Sequence, residues 1–162
     1  MFYICEKRKM LGALIMKIST KGRYGMRIML ELALHYDQNL LTVKQLSKRQ
    51  SISEKYTEQI IAILNKAELV RSFRGAQGGY RLARAPHTIT VAQILWVTEG
   101  SFDLVECTAP SSSDCARKAE CAVNSVWREI KDAVEFVATR VTLAELVSRH
   151  YEKNKPELFH VV

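Results

Sequence analysis

The chain has no apolar run approaching the roughly 20 residues of a membrane-crossing helix, although 48% of its 162 residues are hydrophobic. A secretory leader is not expected either. In MFYICEKRKMLGALI the apolar stretch after the basic EKRK is only about six residues, too short for a signal core, and no small-residue cleavage site follows. The chain therefore reads as cytoplasmic. No catalytic constellation is present either. The four histidines, His35, His87, His150 and His160, are scattered, and none pairs with an obvious nucleophile. The GAQGG run lies between two strand-like segments, whereas a phosphate-cradling loop follows a strand and opens a helix. An enzyme is not expected. Four cysteines in such a compartment argue against a disulfide framework and for metal-binding or redox-active thiols.

What is present is an ordinary globular composition with 25% charged residues, enough for one domain or one and a half. The net charge of +7 is unevenly placed. Residues 16–87 carry thirteen Lys and Arg against five Asp and Glu, whereas residues 88–162 carry eight against eleven. A basic half joined to an acidic half suggests that one part meets a polyanion and the other does not.

Within the basic half, Ile28, Met29, Leu32 and Ala33 recur at helical spacing, so Met16 to Asp37 is read as a first helix. Thr42-Val43-Lys44-Gln45 has the form of a capping box and opens a short helix through about Gln50. Ser51-Ile52-Ser53 makes a turn, and Ser53 caps a further helix from Glu54 to Ala67. Two short helices joined this way form a helix-turn-helix, whose second helix sets its first residues against base edges. Leu69–Phe73 and Tyr80–Ala83 then read as strands around a glycine-rich turn, 74–79. A hairpin placed there is a wing; Arg74 and the backbone at Gly75 suit phosphates or a narrow minor groove.

Three segments, MKISTKGRYGMRIMLELA, ISEKYTEQIIAILNKAELV and SFRGAQGGYRLA, resemble the winged-helix regulators of the family that includes the iron–sulfur cluster regulator IscR, CymR and NsrR. The resemblance spans roughly residues 16–148. It implies a fold that is mainly α with a small β wing: a winged helix-turn-helix domain plus a long dimerisation helix. It also implies a transcription regulator, with repression the expected sign, acting on double-stranded DNA as a homodimer on a palindromic operator. The recognition helix would begin at Ser53, with Lys55, Tyr56, Glu58 and Gln59 facing DNA. Glu58 can accept from a cytosine amino group and Gln59 can pair with adenine, while Lys55 and Tyr56 suit phosphates. Thr20, Lys21 and Arg23 would clamp the backbone. Tyr56 and Gln59 have packing or capping as their alternative role. Residues 1–15 fall outside the pattern, as an extension or the product of an upstream start codon.

In the acidic half, Thr90-Val91-Ala92-Gln93 is another capping box, for a helix through Gly100. The loop 101–120 precedes a long helix with Val123, Val126, Trp127, Ile130, Val134, Val137 and Val141 on one stripe. Its width suggests packing on a similar helix, and the resemblance makes it the dimerisation helix. The expected organisation is thus 16–87 for the winged domain, 88–148 for the cysteine loop and dimer helix, and 149–162 for a tail.

Cys107, Cys115 and Cys121 are separated by seven and then five intervening residues, too open for a zinc knuckle with its Cys-x-x-Cys pair. By resemblance these three hold an iron–sulfur cluster, 2Fe–2S by default with 4Fe–4S open, and a histidine three residues beyond the last completes the set. Here that position is Asn124, whose neutral amide oxygen is a poor iron ligand. Three outcomes follow. A weak oxygen ligand such as Asn124, Asp114, Glu106 or a carboxylate of the second subunit's first helix serves; one iron stays open; or no cluster forms and the thiols exchange disulfides or are vestigial. The first-helix carboxylate of NsrR-type members falls at Arg23, so that route finds no match. Cys5 lies outside the pattern.

Overall fold

The structure, a computed structural model, describes residues 18–75, 77–103, 105–108 and 120–155. Cys5, Asp114, Cys115, the expected extension 1–15 and the last seven residues lie outside them. The described chain folds into six helices and a two-stranded sheet.

Helix α1, Thr20–Leu34, starts four residues later than the periodicity suggests. The reason is local: Ser19 is extended and its side chain accepts from the Gly22 N–H, ending the helix there. Helix α2, Val43–Gln50, has the full reciprocal capping box between Thr42 and Gln45. Its end is set by Ser51 in the left-handed conformation (φ 55), whose N–H bonds back to the Lys48 and Ser47 carbonyls. Helix α3, Glu54–Lys66, is capped by Ser53. Strands β1, Val70–Phe73, and β2, Gly79–Leu82, pair antiparallel with Val70 opposite Leu82 and Phe73 opposite Gly79. Gly75 sits in their turn at φ 117, a conformation that L side chains rarely adopt. Leu41, just before α2, exchanges backbone hydrogen bonds with Tyr80 at 3.0 and 2.8 Å, so the wing is sewn to the helix pair.

Helix α4, Val91–Glu99, has the Thr90–Gln93 capping box and stops at Gly100 (φ 93). Helix α5, Ala122–Arg140, is the long helix of the acidic half. It ends at Arg140. Val141 is extended, and the chain passes beside residues 89–91: Val91 N–H donates to the Val141 carbonyl and Leu143 N–H to that of Ile89, both at 2.9 Å. Thr142 then caps a sixth helix, α6, Leu143–Lys153, so the part of the expected tail through Lys153 is helical.

One core joins these elements. Ile28, Met29 and Leu32 of α1, Leu46 of α2, Ile60, Ile61 and Leu64 of α3, Val70, Leu82, Ile94 and Leu143 are all buried together. Truncating any one of the fully enclosed leucines to alanine would cost about 2–5 kcal/mol. Leu143 belongs to this core, so α6 completes the body built by α1–α4.

Candidate nucleic-acid interface and cysteine site

Two helix starts are brought together on one side of the body. Tyr24 in α1 and Tyr56 in α3 meet edge to face with ring centroids 6.0 Å apart, and the Arg27 guanidinium lies 5.2 Å from the Tyr24 ring centroid. Arg27 also donates to the Gln50 side chain at 2.8 Å and to its carbonyl at 3.2 Å, fixing the turn between α2 and α3. Gln50 in turn donates to Glu31 at 3.0 Å, and Arg49 donates to the other Glu31 oxygen at 2.9 Å. Polar groups with this many fixed partners act as struts.

Lys55, Glu58 and Gln59 are exposed on the first turns of α3. Ser53 is exposed too, but its oxygen is engaged as cap, accepting from the Tyr56 N–H at 3.2 Å; its hydroxyl proton remains able to donate. Tyr56 is half-buried, its ring packed against the core and Tyr24. Thr20 and Arg23 are exposed and hydrogen-bonded to each other at 3.3 Å, beside half-buried Lys21. Arg74 and Gly75 are exposed in the wing turn, and the wing is stiffened by Arg81, whose guanidinium lies 4.6 Å from the Phe73 ring centroid.

One contact here was not signalled by any sequence motif. Ser19 donates to Glu99 at 2.7 Å, which places the last residue of α4 on the first turn of α1. The carboxylate lies over Gly22, where a Cβ would collide with it.

The described residues of the cysteine loop are tied down from three directions. Phe102 meets Trp96 of α4 edge-on at 5.7 Å. Asp103 pairs with Lys131 of α5 at 2.8 Å and accepts from Thr108 at 3.2 Å. The hydrogen bond from Lys131 is the main cause that holds the Asp103 carboxyl below its ordinary range, against an opposing effect of burial. The same bond raises Lys131. The third tie is Asn124, which donates to the Cys107 carbonyl at 3.3 Å and to its sulfur at 3.4 Å. Cys121 is the N-cap of α5 without a side-chain capping bond, at the positive end of that helix. Among the described residues no three Cys, His, Asp or Glu gather as a metal-holding group; Cys115 lies outside these residues.

Along α5, Val123, Val126 and Val137 are exposed by 56%, 49% and 60%, and Trp127, Ile130 and Val134 beside them are only half-buried. The apolar stripe is thus largely left open by its own chain. Among the described residues no helix is long and apolar enough to cross a membrane.

Comparison with known proteins gives consistent results. Residues 18–149 match the family described as Rrf2, iron-dependent transcriptional regulator. The HTH-type transcriptional regulator IscR of Vibrio parahaemolyticus is 36% identical over 133 residues, covering 82% of this chain and 78% of its own length. The HTH-type transcriptional regulator CymR of Bacillus subtilis is 38% identical over 146 residues, covering 90% and 100%. The solved structure of T. potens IscR superposes with a TM-score of 0.71 at 38% identity, covering 90% of this chain and 96% of that one.

Proposed function

The chain belongs to the Rrf2 family of DNA-binding transcription regulators, and from that premise we propose that it is a cytoplasmic homodimeric repressor governed by an iron–sulfur cluster. The DNA part of the reading is carried by the starts of α1 and α3, joined through Tyr24 and Tyr56, which leave Thr20, Arg23, Lys55, Glu58 and Gln59 exposed. Lys21, Arg23, Lys55 and Arg74 take phosphates, Glu58 and Gln59 read base edges, and Ser53, Tyr56, Thr20 and the Gly75 backbone add positioning contacts. The open stripe on α5 meets its counterpart on a second copy, which sets two winged domains on a palindromic site. Glu58→Ala is expected to change which sequence is preferred, and Arg74→Ala to weaken all sequences while reducing the salt slope by about one per contact. Equal losses on every sequence from both substitutions would refute the assignment.

Cys107, Cys115 and Cys121 would hold the cluster, with 2Fe–2S favoured and 4Fe–4S the alternative. The residues present suit an anionic sulfur group: Cys107 receives a protein N–H, and Cys121 sits on a helix N-terminus. When bound, the cluster supplies iron whose gain, loss or oxidation changes the segment it is bonded to. Phe102 lies against α4, Asp103 and Cys107 lie against α5, and α4 reaches α1 through Glu99, so these residues adjoin the DNA-facing body. Iron and sulfide counts on protein purified without air, beside Cys115→Ala, test this: a coloured protein bleached by the substitution is expected. A chain that takes up no iron would leave the second reading, a thiol switch on the same fold. That reading is favoured by one observation, that asparagine rather than histidine stands at position 124.

A further inference from the structure

Among the described residues, Asn124 touches the backbone of both cysteines. Its own N–H donates to the Cys121 carbonyl at 3.0 Å, and its side-chain nitrogen lies 3.3 Å from the Cys107 carbonyl and 3.4 Å from the Cys107 sulfur. The side chain is enclosed, with 5% exposure. Which end of the amide faces Cys107 is decided by the carbonyl. A carbonyl only accepts, so turning the amide oxygen toward it would set two acceptors against each other in a buried place. The nitrogen end must face Cys107, and the sulfur beside that carbonyl then receives a hydrogen as well.

We propose that Asn124 is a positioning residue for Cys107, an N–H donor to its sulfur, and not a ligand to the group the cysteines hold. The inference rests on the reading of Cys107 as a metal-bound or redox-active sulfur. Ligation through the amide oxygen would require the side chain to turn over, breaking both bonds to Cys107 and orienting oxygen toward oxygen. As a donor, Asn124 fixes the orientation of the Cys107 side chain relative to α5 and draws electron density from its sulfur. Hydrogen bonds to cluster sulfurs are among the devices that set reduction potential, and withdrawing density raises it. Cys121, the N-cap of α5, makes no side-chain capping bond.

The test compares the full chain with Asn124→Leu, which keeps volume without either polar end, and Asn124→Asp, which keeps shape but replaces the donor with an acceptor. Three quantities are read: iron and sulfide per chain after anaerobic reconstitution, the midpoint potential, and the alkylation rate of Cys107 relative to Cys121 by iodoacetamide in metal-free protein. Asn124→Leu is expected to load iron as the unsubstituted chain does, with a lower midpoint potential. In both variants Cys107 should alkylate several-fold more slowly relative to Cys121. Loss of more than half the iron in Asn124→Leu, with retention in Asn124→Asp, would make the side-chain oxygen a ligand and overturn the proposal. So would a potential and an alkylation ratio unchanged in both variants. If the unsubstituted chain takes up no iron, the cluster reading alone fails, and the alkylation ratio still decides the role of Asn124. Circular dichroism checks folding; if the leucine variant does not fold, the isosteric aspartate carries the comparison.

Discussion

Replacing Lys131 by methionine removes one half of the ion pair that pins the cysteine loop to α5, and its cost can be worked out. An exposed pair is worth about 0.2–1 kcal/mol. This one is more enclosed, with side-chain exposures of 21% for Lys131 and 11% for Asp103, and without it the carboxylate keeps the weaker hydroxyl contacts of Thr108 and Ser101. Hydrogen bonds to charged groups contribute about 1.5–3 kcal/mol, and the residual exposure argues for the lower end, about 1.5 kcal/mol. For a chain of this size each kcal/mol moves Tm by roughly 2–4 °C, so Lys131→Met should melt about 3–6 °C lower at neutral pH. The pH dependence has a definite sign. Asp103 is lowered on folding, so its contribution is complete above its unfolded value of about 3.9 and lost as pH falls through the folded one. Lys131 is raised on folding, so its share is complete below about 10.4 and lost as pH rises through its folded value. The gap between the two proteins should therefore be flat between these limits and close at both ends. Calorimetry from pH 3 to pH 11 measures it. A gap under 1 °C at neutral pH, or one that widens on acidification, would refute the reasoning.

Gln50→Ala should lower DNA affinity with an unchanged salt slope, because Gln50 braces the turn before α3 and is not expected to touch phosphate; its stability cost should be near 1 kcal/mol, since Arg27 and Glu31 stand four residues apart and can pair directly. Titrations of duplex DNA at several salt concentrations check this, and a shallower slope would contradict it. Glu99→Gln keeps an acceptor for Ser19 but removes a negative charge beside the first turn of α1, so DNA binding should tighten a few-fold at low salt and less at high salt; weaker binding would count against a phosphate role for that turn. Val126→Asp places a charge on the open stripe of α5 and should shift light-scattering mass from two chains toward one, whereas an unchanged mass would remove the stripe from the dimer contact.

The parts of the fold that were readable in the sequence are those fixed within four residues. The boxes at Thr42 and Thr90 and the cap at Ser53 are local bargains between a side chain and nearby N–H groups, and they mark helix starts correctly. The wing was legible for the same reason. The break at Val141 was not, because Val137 and Val141 continue the apolar period while the interruption comes from residues 89–91, far away in sequence. A signal was nevertheless present in Thr142-Leu143-Ala144-Glu145, which has the form of a capping box and opens α6. Tyr56 shows the ambiguity of a residue that is polar at one end: its partner Tyr24 is invisible to any short window. The contacts of Asn124 with Cys107, across seventeen positions, and of Glu99 with Ser19, across eighty, belong to the same category.

The passage of Val141–Leu143 beside Ile89–Val91 makes the cysteine loop and α5 an excursion from an otherwise closed body. The chain departs from one end of α4 at Gly100 and returns at the other end of the same helix, about 13 Å away at 1.5 Å per residue. Because closing a longer excursion adds only about 0.6 kcal/mol per doubling, insertions and deletions between these anchors carry little thermodynamic penalty. The body, in contrast, is not finished until Leu143 emerges from the ribosome and enters the core. The segment between these anchors is free to diverge in length and chemistry, while α6 keeps a half-made chain from acquiring a complete DNA-binding body.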